Sequence, residues 1–186
     1  MFNWITNSKM KDMIYTSFPK ELHSDVKKVI NILPIKEDCI NENYTTYLLN
    51  NENLKMYSRI YFDEPNQELI DNLTSKQKII LNCIYTRHHN GYLRQQKVEK
   101  LIESKEYFVT PFMIQLIGEL IFEILVPIND SVDKNTKNYV KFIEENQIYW
   151  NLTKSRMISY WNEYYRKEHE KLKNYIGYKL VEKIEN

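Results

Sequence analysis

The run from Thr74 to Val126, TSKQKIILNCIYTRHHNGYLRQQKVEKLIESKEYFVTPFMIQLIGELIFEILV, decides the fold class. It opens with Thr74-Ser75-Lys76-Gln77, a capping box in which the first and fourth residues satisfy each other's backbone N–H groups. That start predicts a helix reaching about His89. Asn90-Gly91 reads as the left-handed residue that ends it. A second helix, from Tyr92 to about Ile102, would bury Leu93, Val98, Leu101 and Ile102. Thr110-Pro111 begins a third, with proline at its first position, and Pro127 stops it.

The flanking sequence extends the helical pattern. Leu22, Val26, Val29, Ile30 and Leu33 share one face of a 3.6-residue period, so 19–33 reads as an amphipathic helix, capped by Ser17 and closed by Pro34. A shorter helix over Lys9 to Tyr15 precedes it. Further helices are expected from Lys137 to Asn146 and from Asn151 towards Lys183. Along the last, Trp161, Tyr165, Leu172 and Tyr175 recur at steps of three and four. Residues 44–62 instead alternate: Leu54, Met56, Ser58, Ile60 and Phe62 on one face, Lys55, Tyr57, Arg59 and Tyr61 on the other. Turn residues Asn50 to Asn53 divide this segment, so it reads as a β-hairpin whose apolar face needs helices to cover it.

Composition narrows the class. The chain has 186 residues, enough for a single domain, and its 26 basic and 25 acidic side chains leave a net charge of +1. That balance disfavours a nucleic-acid coat. Three Gly and five Pro are too few for a turn-dense all-β fold, and two Cys are too few for a disulfide framework. Met1 to Met13 has no apolar leader core. Phe112 to Val126, broken by Gln115, Glu119 and Glu123, is shorter than the roughly 20 residues of a membrane span. The expectation is a cytoplasmic protein without a membrane partner. Charge is uneven: residues 1–36 carry net +3, 37–71 net −6 and 72–186 net +4. These segments read as N-terminal helices, an acidic hairpin and a helical body within one domain, 1–186.

The helix–turn–helix from Gln77 to Ile102 resembles a HEAT-like repeat unit through Asn90-Gly91-Tyr92-Leu93-Arg94 and Leu101, with Lys97 where the repeat has a small Ala. The resemblance implies a helical bundle or short HEAT-like α-solenoid with one embedded β-hairpin (about 44–62), and a concave face for a partner; it implies no chemistry. The run Cys83 to Gly91 is also similar to a segment of uncharacterised bacterial proteins.

The most pointed chemical cluster is Arg87, His88, His89 and Arg94 around the Asn90-Gly91 turn. Such a group can bind a phosphate or carboxylate, the guanidiniums as forks and an imidazole titrating near neutrality. Cations at a helix C-terminus also offset its dipole, which is a purely structural role. Gln115, Glu119 and Glu123 make a polar line four residues apart on an otherwise apolar helix. A buried carboxylate needs a cation, and Arg87 and Arg94 are the expected partners. In a catalytic version His88 and Glu119 work as an acid–base pair. His88 and His89 are adjacent and so diverge on a helix, and no His-Glu-x-x-His or Cys-x-x-Cys occurs, so neither a metal nor a cofactor is expected. Tyr149, Trp150, Tyr160, Trp161, Tyr164 and Tyr165, interleaved with Lys154, Arg156, Arg166 and Lys167, could stack bases, or could be aromatic core with a charged back. Of the three functions left open, a protein-interaction module using the acidic hairpin stands ahead of an anion-binding protein or enzyme and of nucleic-acid binding by the last helix.

Overall fold

A computed structural model describes residues 2–36 and 38–186; Met1 and Glu37, the first acid of the 37–71 segment, lie outside the described residues. The chain is mainly α with an embedded two-stranded antiparallel hairpin. It divides into two compact units, Met1–Lys97 and Val98–Asn186, the cut falling within a helix.

In the first unit, α1 (Phe2–Tyr15) is followed by a short 3-10 turn and α2 (His23–Ile30). Leu22, Val26, Val29, Ile30 and Leu33 are all buried, as their spacing predicts. Ser17 caps nothing; its hydroxyl faces the Met13 carbonyl at 3.4 Å, at the end of α1. Strands β1 (Tyr44–Leu49) and β2 (Glu52–Tyr57) pair Tyr47 with Leu54 and Thr45 with Met56. Asn50 and Asn51 both have positive φ, 49° and 63°, which is the two-residue reversal that matches strand twist. The turn is therefore two residues long, not four. Tyr47 donates its hydroxyl to the Ser17 carbonyl at 2.8 Å and Lys55 N–H donates to Thr16 at 2.9 Å, tying the hairpin to the α1–α2 connection.

After α3 (Gln67–Asp71) the capping box forms: Gln77 N–H donates to Thr74 Oγ1 and Thr74 N–H to Gln77 Oε1. It opens α4 (Ser75–Tyr85), which packs on α2, where Gln77 Nε2 donates to Asp25 at 2.8 Å. Two expectations fail here. α4 ends four residues before His89, because His88 leaves the helix to form a parallel bridge with Ile60. No described glycine has positive φ; Gly91 opens α5 (Gly91–Glu99), and Asn90 Oδ1 accepts the Tyr92 N–H at 3.0 Å. Asn90-Gly91 is a helix start, not a helix stop.

The second unit is built on α6 (Thr110–Ile117), α7 (Phe122–Glu145), α8 (Gln147–Tyr160) and α9 (Ile176–Glu185). The apolar run breaks at Gly118 rather than Pro127, and Pro127 lies buried inside α7. A Cβ on Gly118 would sit 2.9 Å from the Thr153 carbonyl oxygen, so α8 crosses where only glycine fits. The helix expected over Lys137 to Asn146 is the second half of α7, beyond a kink at Asn135 (φ −137°, ψ 27°). The expected single C-terminal helix is four pieces: α8, a π-helical turn over Trp161–Tyr165, a 3-10 turn over Leu172–Asn174, and α9. Ile114, Leu116, Ile117, Ile124, Leu125, Trp150, Met157 and Leu180 form the core.

Gly118→Ala should therefore lower stability by about 1–3 kcal/mol, since two backbones must separate to admit one methyl group. Thermal melting of the purified variant checks this; an unchanged midpoint would show that the crossing has slack.

Candidate functional site

The Arg87–Arg94 cluster lies at a backbone crossing in the first unit. Beyond β2 the chain runs on through Ile60, whose N–H donates to the Arg87 carbonyl and whose carbonyl accepts the His89 N–H, both at 3.0 Å. On its other side Ile60 bridges antiparallel to Ile40, with Asn41 N–H donating to Arg59 and Tyr61 N–H to Cys39, each at 2.8 Å. Three backbone segments thus meet side by side at Ile60, and the turn after α4 is drawn out of the helix at His88.

Both arginines serve that crossing. Arg87 Nε donates to the Tyr57 carbonyl at 3.1 Å and Nη2 to the Ser58 carbonyl at 2.7 Å. Arg94 Nη1 donates to the carbonyls of His88 at 2.7 Å and His89 at 3.0 Å. Both side chains are buried. A guanidinium bonded to main-chain carbonyls acts as a staple. These contacts replace the helix-dipole role, since neither residue ends a helix.

His88 is 5 % exposed, and its Nδ1 accepts the Asn90 N–H at 3.1 Å. That bond fixes the neutral tautomer with the proton on Nε2, and Nε2 is buried with no hydrogen-bond partner. Burial and then the neighbouring His89 push its pKa down, with Arg94 adding to this; the Phe62 backbone and Glu64 pull the other way, the former from outside hydrogen-bond geometry. His89 is exposed, its ring stacked on Tyr61 at 5.4 Å and 4.3 Å from the His88 ring.

Beside them lies an ion pair for which the sequence offered only its halves. Lys97 is 4 % exposed and bonds Glu64, and its ammonium sits 5.6 Å from the Tyr85 ring centroid. Tyr85 donates its hydroxyl to the Asp63 carbonyl at 2.6 Å. Lys97 thus carries its charge from α5 to the acidic segment. Other acids of that segment are engaged internally as well: Glu42 by Lys9, Glu52 by the Lys20 N–H and Asp71 by Gln67.

Gln115, Glu119 and Glu123 do not form one line. They fall on α6, in the turn after it and on α7, and Glu123 is exposed. Within the second unit the cation beside Gln115 is Arg156: Gln115 Oε1 accepts from Tyr149 Oη at 2.5 Å and from Arg156 Nη2 at 3.1 Å. Glu119 is buried. Of the aromatic series, Tyr149 and Trp150 are core. Trp161 Nε1 donates to the His169 carbonyl and Tyr165 Oη to the Leu120 carbonyl, while Tyr164 faces solvent. No group of three or more potential metal ligands occurs among the described residues, and no helix among them is long and apolar enough to cross a membrane.

A feature that the sequence hid lies on α8. Its exposed residues are Gln147, Ile148, Asn151, Leu152, Ser155, Ile158 and Ser159, and none is charged. At about 100° per residue they form one continuous ridge. Ile148 is 81 % exposed, Leu152 50 % and Ile158 41 %. The two charged residues of α8 are turned aside, Lys154 to Glu185 at 2.6 Å and Arg156 to Gln115. Exposed helix faces normally carry charge, and interface centres are where charge is depleted. Compared with known proteins, the chain matches no family model, no curated protein and no solved structure.

Two outcomes follow for the first-unit cluster. Glu64→Ala leaves Lys97 buried without its partner and should destabilise by about 2 kcal/mol, while Glu64→Gln with Lys97→Met should recover most of the loss in chemical denaturation. His88 has a folded pKa below its unfolded value of about 6.5, so its share of stability is present above that pH and is lost as pH falls through the folded value. Melting temperatures should drop on acidification below about pH 6.5, and His88→Gln should flatten that slope; an identical slope in the variant would assign the acid sensitivity elsewhere.

Proposed function

We propose that this chain is a non-catalytic helical module that binds another protein, and that α8 provides the binding face. The supporting observation is the uncharged ridge from Gln147 to Ser159, with Ile148, Leu152 and Ile158 exposed in a chain of which 27 % is charged. Covering leucine- and isoleucine-sized side chains is worth about 1.5–3 kcal/mol each when burial is complete, enough for a few such residues to anchor an interface. The acidic segment plays a smaller part in this reading than its net charge suggests. Glu42, Glu52, Glu64 and Asp71 are engaged within the chain, which leaves Asp38, Asp63 and Glu68 as the other exposed acids among the described residues of the segment.

A second reading, a small-anion site on Arg87, His88, His89 and Arg94, has in its favour the buried, unpartnered His88 Nε2–H. Against it, the guanidiniums of Arg87 and Arg94 already donate to four main-chain carbonyls. An anion would have to displace bonds that hold the backbone crossing together.

Affinity capture from lysate with tagged chain tests the first reading. A stoichiometric partner should be recovered, and Leu152→Glu should lose it while retaining the wild-type circular dichroism and melting temperature. Recovery of the same partner by Leu152→Glu would remove α8 from the interface.

A further inference from the structure

Within the first unit, one face of α1 and the polar face of the hairpin enclose an open groove of about 670 Å³. Small-molecule sites span about 300–1,000 Å³, so the groove is large enough for one. Its helical wall is Ser8, Asp12 and Thr16, at steps of four, with Lys9 beside them; Lys55 and Tyr57, two apart on β2, form the facing wall. The Lys55 N–H donates to the Thr16 carbonyl at 2.9 Å, which joins the strand to the end of the helix and leaves the corner between them open.

The charges of this corner are not balanced from within. Lys9 is engaged by Glu42. Asp12 and Lys55 have no ion-pair partner among the described residues; the Lys55 ammonium rests 4.4 Å from the Tyr44 ring centroid. Asp12 also stands where an acid is least favoured. It lies in the last turn of α1, which carries no basic residue, at the negative end of the helix dipole. A positive group docked beside Asp12 would relieve both the missing counter-charge and the dipole.

The hydroxyls of the groove follow the same polarity. Thr16 Oγ1 donates its one hydrogen to the Met13 carbonyl at 2.8 Å. In its 3.3 Å contact with Tyr57 Oη it therefore accepts, and Tyr57 donates. Tyr57 Oη is left with lone pairs and no hydrogen to offer. Asp12 and Tyr57 thus supply acceptors for an ammonium, and Lys55 supplies donors for a carboxylate. A simple anion would meet the Asp12 carboxylate and a phenol unable to donate. A simple cation would meet Lys55, with Lys9 close by. Only a molecule carrying both charges finds an opposite for each.

We propose that this groove binds a small zwitterion, with an amine and a carboxylate on one molecule as in a free amino acid or a dipeptide. Its ammonium is held by Asp12 and Tyr57 Oη, and its carboxylate by Lys55.

Isothermal titration of the full chain with each common L-amino acid and with glycylglycine, at millimolar concentrations, tests this. At least one of these probes should give a saturable heat and raise the melting temperature. A response to amino acids alone makes the ligand a free amino acid, and a response to glycylglycine alone makes it a peptide. Ethylamine and acetate, with one charge each, should give no saturable heat. Asp12 is exposed and Lys55 half-buried, so Asp12→Asn and Lys55→Met should keep the wild-type circular dichroism while each weakens the zwitterion by about tenfold or more. The absence of saturable heat with every zwitterionic probe overturns the proposal. So does binding that both variants retain, or that ethylamine or acetate matches in affinity.

Discussion

Ile60 is bonded through its backbone on both sides, to Ile40 and its neighbours in one direction and to Arg87 and His89 in the other. Much of the first unit follows from this crossing. A hairpin of two six-residue strands is marginal alone, and here its continuation is fastened to the chain just beyond α4. Because the chain must leave the helix by His88 to make those bonds, α4 ends at Tyr85 and tightens into a turn at 86–87, and α5 restarts with a new cap at Asn90. Arg87 and Arg94 then bond the carbonyls that an irregular backbone leaves without ladder partners.

The crossing also changes what the cationic cluster can do. Four basic or imidazole side chains within eight residues suggest a ligand site when read along a line. Folded, two of the four face the main chain, His88 is buried with one nitrogen engaged, and only His89 is exposed. The acidic segment follows the same logic, with Glu64 compensating Lys97. In this chain strongly charged sequence features are largely used to hold elements in place. The feature most suited to binding is the α8 ridge, from which charge is missing.

Helix existence and the hairpin were legible because they rest on local rules. The Thr74 capping box, the buried stripe from Leu22 to Leu33 and the alternation through Leu54, Met56, Ile60 and Phe62 need only near neighbours to be correct. Helix ends were less legible wherever a distant segment set them. Gly118 breaks the apolar run because α8 passes within contact of its Cα, and Pro127 is tolerated within α7 at the loss of one helical hydrogen bond. Neither can be read from residues 110–127 alone. The polar line of Gln115, Glu119 and Glu123 dissolved for the same reason, since its regular spacing assumed one continuous helix.

The sequence by itself determined the secondary-structure class, the position of the hairpin and most of the buried apolar residues, because period and capping are properties of adjacent side chains. Only the tertiary structure decided which charges are neutralised internally, that Arg156, 41 residues away in sequence, reaches Gln115, and which face of α8 is left to solvent. Those outcomes depend on where a second backbone passes, and that position is fixed by packing between residues tens of positions apart.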